Sequence, residues 1–266
     1  MDREKKHHRR IPPEQLAYRP QLEDLPAFHV ANEQSAVDIL ELSKRIRLSA
    51  SADFFEEIYA IIPVVWPTRT VSCIVYRTTV LLVEKEPFQI IKQLLETLEY
   101  LNFTIYKRTL ERLLHAKQRL TPVGTKNFSL FPTGGALRAD TCWINPGRIY
   151  ALHTRHMDTI ICLDNLFTVR NSRNKKSIRK NMEKAFLTHA LMKREHDYNT
   201  PKLNISLLEY LGVTSSYETR EVLKKFQFQH IPNYQHAFLK LYREVQQEQI
   251  IKETRRQLTK EWNIEY

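Results

Sequence analysis

Glycine is scarce, with five residues in a chain of 266. Neither G-x-x-x-x-G-K-[ST] nor G-x-G-x-x-G occurs, so the sequence supports no nucleotide-binding P-loop and no dinucleotide-binding turn. Cysteine is as sparse: Cys73, Cys142 and Cys162 are odd in number and sit in apolar runs such as VSCIVY and IICL. That pattern fits neither a disulfide framework nor a zinc site, and buried thiols in a reducing cytosol are the simplest account. The longest apolar runs, AIIPVVW and TVLLV, fall far short of the roughly 20 residues that a membrane-spanning helix needs. The opening MDREKKHHRR leads into IPPEQ rather than an apolar stretch, so no secretory signal is expected. These absences predict a soluble, cytoplasmic protein with no membrane partner.

Catalytic patterns are missing as well. There is no G-x-S-x-G, and no cysteine sits in an electropositive context. The acids are spread out and mostly matched with lysine or arginine at helical spacing; Glu56-Glu57 and Glu84 have no partner pattern that names a reaction. His153 and His156 are spaced i,i+3 beside strand-like sequence, unlike the i,i+4 pair of a helical zinc site. No catalytic residue, metal or cofactor is predicted.

What is abundant is positive charge. Lys and Arg number 41 against 30 Asp and Glu, a net +11, while hydrophobic residues at 42% leave ample material for a core. Such a balance suits a polyanionic partner.

Three zones emerge along the chain. Residues 1–52 form a basic, proline-bearing arm followed by one short helix marked by Ala36, Ile39, Leu40 and Leu42. Residues 53–198 read as the main domain. Its runs EIYAIIPVV and RTVSCIVYRTTVLLV predict two strands, paired as a hairpin with residues 66–69 near the turn. EPFQIIKQLLETLEYL is an amphipathic helix with Pro87 in its first turn, and 106–114 predicts a second one. Short strand-like pieces follow (NFSLF, TCWI, RIYALH, DTIICL, LFTV), and then a helix over 177–193 with Ile178, Met182, Phe186, Ala190 and Leu191 as its stripe. Residues 199–266 predict helices only: 203–211 ending at Gly212, a segment capped by Ser215 or Ser216 running to Phe228, and a long last helix after Pro232. The expected fold class is α+β, a mixed antiparallel-sheet core with packed helices followed by an all-helical C-terminal extension.

Charge concentrates between 170 and 194, where Arg170, Arg173, Lys175, Lys176, Arg179, Lys180, Lys184, Lys193 and Arg194 face a single acid, Glu183. On a helix, Arg179, Lys180 and Lys184 share the polar side opposite the Ile178–Met182–Phe186 stripe, so one side packs while the other meets phosphates. RNSRNKK ahead of it carries residue types that reach phosphates, or base edges in an A·T-rich minor groove. A charge run of this kind is otherwise a solvated helix face. Arg3, Lys5, Lys6, Arg9 and Arg10 in the arm either add contacts of the same kind or only solubilise. The stretch 207–223 has a helix-turn-helix outline around Gly212, but Glu218 stands where its second helix should bury an aliphatic, which favours a plain helical hairpin. The last helix has an apolar seam interrupted at Glu248 and Gln249; its mixed charge suits packing or self-association better than DNA.

Residues 128–145, FSLFPTGGALRADTCWIN, resemble the signature of the ComK family of bacterial competence transcription factors. The matching features are Leu130-Phe131-Pro132-Thr133, Arg138 in the loop, and Trp143-Ile144 at the expected distance. Upstream, EPFQII resembles the family's helix-opening K-P-x-Q-I; downstream, the basic helix from Ser177 resembles its S-F/I-x-x-Q helix, with Asn181 in place of glutamine. The family's cysteine falls at Thr141, one place before Cys142, and its small-residue stretch before an arginine is replaced by 101–106, with Lys107 and Arg108 keeping the basic character. The resemblance spans about residues 57–193. It implies an activator of DNA-uptake genes that binds A·T-rich double-stranded DNA through the minor groove as a homo-oligomer, is nucleoid-associated, and is held in check by an adaptor-protease regulator. Phe131, Pro132 and Trp143 read as framework. The expected DNA contacts are Arg170, Arg173, Lys175, Lys176, Arg179, Lys180 and Lys184, with Arg138, Lys107 and Arg108 as further candidates. Two other classes remain open: an RNA-binding protein stacking bases on Tyr106, Tyr150 and Phe167, and an interaction module acting through the helical extension.

Overall fold

β2 (Ala60–Trp66) and β3 (Arg69–Val75) pair antiparallel over their whole length, from Ala60 opposite Val75 to Trp66 opposite Arg69, so the expected hairpin forms. The second of the two runs, RTVSCIVYRTTVLLV, folds as two strands, β3 and a further one, rather than as one. At 76–79 the chain turns back, with the Tyr76 N–H donating to the Thr79 carbonyl at 2.9 Å, and β4 (Val80–Val83) pairs with β3. That run contains neither glycine nor proline, so nothing local marks its turn.

The computed structural model describes residues 46–66, 69–115, 117–138, 140–155, 158–165, 167–197, 203–232 and 234–262. The basic arm, the apolar positions 36–42 of the expected first helix, and His156 lie outside them. Within the same N-terminal zone, 46–49 is strand β1 (Ile46–Ser49), parallel to β4 at the sheet edge.

β5 (Val123–Gly124), β6 (Ser129–Pro132) and β7 (Trp143–Ile144) complete a seven-stranded mixed sheet of order β1-β4-β3-β2-β7-β6-β5. A three-stranded antiparallel sheet, β8 (Ile149–Arg155), β9 (Asp158–Leu163) and β10 (Thr168–Asn171), lies in the order β10-β9-β8. Residues Ile58 to Ile62 are buried one after another, as a strand covered on both faces requires.

Helix α1 (Pro87–Leu98) opens with Pro87 and a Glu86–Gln89 capping box, and buries Ile90, Ile91, Leu94 and Leu95. α2 (Phe103–Leu113) begins three residues before its expected start because the Asn102 side chain caps the N–H groups of Thr104 and Ile105. α3 (Lys175–His196) is capped by Asn174 and packs its Ile178–Met182–Phe186–Ala190 stripe over β5 and β6.

The C-terminal zone holds α4 (Leu207–Leu211), α5 (Tyr217–Leu223) and α6 (Ala237–Trp262). Gly212 ends α4 at φ 63°, a left-handed conformation that glycine adopts without a Cβ penalty. Ser216 caps α5, which stops at Leu223 rather than running on to Phe228. This zone joins the main core: Phe238, Tyr242 and Val245 are buried with the sheet residues, and the Tyr242 hydroxyl accepts the Asn102 N–H at 2.7 Å. The interruption in the α6 seam is filled by polar links to α2, Glu248 pairing with Arg112 and Gln249 accepting from Arg108. The architecture is α+β. Among the described residues, no helix is long and apolar enough to cross a membrane.

Candidate nucleic-acid interface

The structure sorts the basic run into inward and outward sides. Lys175 and Arg179, one turn apart, both reach Glu218 on α5: Lys175 Nζ lies 2.8 Å from one carboxylate oxygen and Arg179 Nε 2.8 Å from the other. The Glu218 side chain is only 2% exposed. Burial alone would raise its pKa, but the hydrogen bonds from Arg179 and Lys175 outweigh burial and hold it below the usual carboxylate value. This is why a glutamate occupies the apolar slot of an apparent helix-turn-helix: it anchors α5 to the first turns of α3. Glu218→Ala is expected to lower stability by about 2 kcal/mol, less than for a fully buried pair because both cations are about a third exposed. An unchanged urea midpoint would show these bonds to be screened out by solvent.

The residues before α3 are also engaged. Arg170 pairs with Asp158 at 2.5 Å, and the Arg173 Nε–H donates to the Thr133 carbonyl at 2.7 Å. Arg138 is exposed and pairs with Asp140 across the loop tip. Lys107 and Arg108 lie on α2, which packs mainly against α6, so they are not drawn into the α3 cluster.

Three candidates face outward. Lys176 and Lys180 are exposed and Lys184 half-exposed; none makes an ion pair among the described residues. Their i, i+4, i+8 spacing aligns them in one stripe along α3. Glu183, the sole acid of the run, is turned to Lys225 at 3.1 Å. The predicted cluster therefore divides into four cations that brace the fold and a stripe of three lysines open to a ligand.

The motif residues are framework, as expected: Phe131 is 1% and Trp143 0% exposed, with Phe131 opposite Ile144 and Pro132 opposite Trp143. The aromatic platform proposed for RNA does not assemble. Tyr106 is fully buried with its hydroxyl bonded at Pro122 and Gly124, Phe167 is buried, and only Tyr150 is exposed. Cys73 and Cys142 are buried, which pushes both thiols up to about 12; Cys162 is half-buried. Among the described residues there is no group of three or more His, Cys, Asp or Glu side chains that could hold a metal. An open polar cleft of about 690 Å³ lies beside Arg148, whose guanidinium is taken up by Glu57, Asp164 and Thr214.

The sequence singles out Glu218 but not its two cationic partners, and gives no sign of Leu137. Glu218 carried a signal, a charge at a position that should be apolar. The exposure of Leu137 in the β6–β7 loop had none, since a single leucine among small and charged residues is unremarkable. Comparison of the chain with family models, with curated proteins and with solved structures finds no match.

Proposed function

We propose that this chain is a DNA-binding transcriptional regulator that holds duplex DNA along the Lys176–Lys180–Lys184 stripe. The supporting observation is that these three ammonium groups line one side of a 22-residue helix, with no ion-pair partner among the described residues, while Lys175 and Arg179 are turned to Glu218 and Arg173 to the Thr133 carbonyl. Each phosphate they meet would release condensed counterions, an entropic gain that falls as salt rises. The ComK-like motif adds the expectation of an activator of competence genes, oligomeric, nucleoid-associated, favouring A·T-rich sites, and subject to an adaptor-protease regulator. Duplex DNA is preferred to single-stranded RNA because two of the three candidate stacking aromatics are buried.

The test is a mobility-shift titration on A·T-rich and G·C-rich duplexes of equal length at several salt concentrations. Binding should favour A·T and weaken with salt. Lys176→Ala/Lys180→Ala/Lys184→Ala should flatten the log–log salt slope by about 2 to 3 with an unchanged melting temperature. Arg179→Ala should instead lower the melting temperature, because its partner Glu218 is buried. An unaltered slope in the triple variant rejects the assignment, and single-stranded RNA outcompeting duplex DNA would favour the RNA class.

A further inference from the structure

The β6–β7 loop projects an apolar side chain into water, and hydrogen bonds among its described residues brace it. Leu137 is 83% exposed. Behind it the Thr133 N–H donates to the Cys142 carbonyl, the Arg138 N–H to that of Gly135, and the Thr141 N–H to that of Arg138, at 2.8–3.1 Å. The Thr141 hydroxyl closes the loop on the Gly135 carbonyl at 2.7 Å. The glycine at 134 is required for this closure, because a Cβ there would stand 2.7 Å from that same hydroxyl oxygen. At the loop base the Arg173 guanidinium holds the Thr133 carbonyl, which ties the loop to the basic segment leading into α3.

Arg138, next to Leu137, is paired among the described residues with Asp140 alone, and both side chains are more than half exposed. The guanidinium meets both carboxylate oxygens, Nε at 2.9 Å and Nη2 at 2.5 Å, but the pair stands in water, where a phosphate can compete with the carboxylate for the same two N–H groups. The tip therefore offers one exposed apolar side chain beside one exposed guanidinium. A flat protein–protein patch would need neighbouring apolar residues at the tip, but among its described residues Ala136 is half-buried and Arg138 is charged. Proteins that kink DNA use a wedge of this kind: an apolar side chain enters between two base pairs from the minor groove while a cation lies along the groove.

We propose that Leu137 is a DNA wedge that partly unstacks one base step and bends the duplex, with Arg138 positioned beside it in the minor groove. This rests on the DNA-binding reading above. It adds a means of sequence preference without base hydrogen bonds, since A·T-rich pyrimidine–purine steps are the easiest to unstack.

The test uses the full chain and an A·T-rich duplex of about 30 base pairs, in line with a regulator's site, carrying 2-aminopurine at the central step, with donor and acceptor dyes at the ends of a second copy. Wild-type protein should raise 2-aminopurine fluorescence and shorten the end-to-end distance. Leu137→Ala should lose most of both signals and weaken binding about 3- to 10-fold. Its salt slope should not change, since no charge is removed, nor its melting temperature, since the side chain is exposed. Leu137→Phe should keep the unstacking signal. Salt-dependent binding by wild type with no unstacking, or full unstacking by Leu137→Ala, overturns the wedge while leaving the DNA reading intact. Absence of binding to any duplex overturns both. If Leu137→Ala leaves the unstacking intact and instead disrupts self-association in sedimentation, the side chain serves a protein contact and the proposal falls.

Discussion

Replacing Trp143 by alanine is expected to cost the fold about 3–5 kcal/mol. The indole is fully buried on β7, a strand of only two residues that joins β2 to β6. It stands opposite Ile61 on one side and Pro132 on the other, so its loss opens a cavity at the seam of the sheet. A domain of this kind holds only about 5–15 kcal/mol in all, so Trp143→Ala removes a large share of that stability and should shift the urea midpoint strongly downward. Trp143→Phe is the informative companion. The indole N–H has no acceptor among the described residues, so phenylalanine loses volume but also removes a buried donor left without a partner there. A loss of about 1–2 kcal/mol is expected for it. If Trp143 is framework rather than contact, DNA affinity per folded molecule should not change in Trp143→Phe. A urea-measured loss under about 1 kcal/mol for the alanine variant would show that the sheet does not depend on this side chain.

Acid should destabilise the protein well before its carboxylates protonate. His189 on α3 is 2% exposed, and its ring nitrogen donates to the Lys126 carbonyl at 3.3 Å. Burial, helped by the charge of Lys193, pushes its pKa down to about 4, against the pull of that carbonyl. In the unfolded chain an ordinary histidine titrates near 6.5. Between those two values the unfolded state takes up a proton that the folded state refuses, so stability falls as pH drops. The whole effect amounts to about 3 kcal/mol, starting below about pH 6.5 and complete near pH 4. Glu218 acts lower down: its depressed pKa contributes stability that is lost only as pH falls through that folded value. Glu195, whose pKa burial raises, works in the opposite sense and offsets part of the loss. His189→Gln keeps a donor for the Lys126 carbonyl and cannot titrate. Its stability should therefore vary less than wild type's between pH 7 and 4.5, by about 2–3 kcal/mol. Parallel curves for the two proteins would mean that His189 is protonated as easily folded as unfolded.

Much of the architecture could be read from local pattern. The stripes of α1 and α3, the hairpin at 60–75 and the short strands after Pro122 follow from apolar spacing, because burying those side chains sets the period. The turn at 76–79 was hidden by β-branched residues on both sides, and β1 depends on its pairing with β4, about 30 residues away. The α6 seam seemed to lapse at Glu248 and Gln249, yet their partners Arg112 and Arg108 lie more than 130 residues back, where no local pattern points. The same distance effect governs the basic cluster. Composition located it, but only the fold shows that Lys175 and Arg179 answer a glutamate about 40 residues downstream, while Lys176 and Lys180 answer nothing within the described residues. A count of cations cannot separate those two groups; the helical position of each and the helix packed over it can.

The burial of Phe238 and Tyr242 has a consequence for how the chain is made. The Phe238 ring lies 5.6 Å from that of Tyr106, and the Tyr242 hydroxyl takes the N–H of Asn102, 140 residues earlier. A ribosome that has synthesised the entire sheet has therefore not yet supplied the side chains that cover α2. Closure of the core waits until α6 has emerged from the exit tunnel, and the contacts that complete it are among the most distant in the chain, the kind that form slowly. During that interval the growing polypeptide carries an uncovered apolar face, which makes it a client for chaperones and makes prematurely terminated products prone to aggregate.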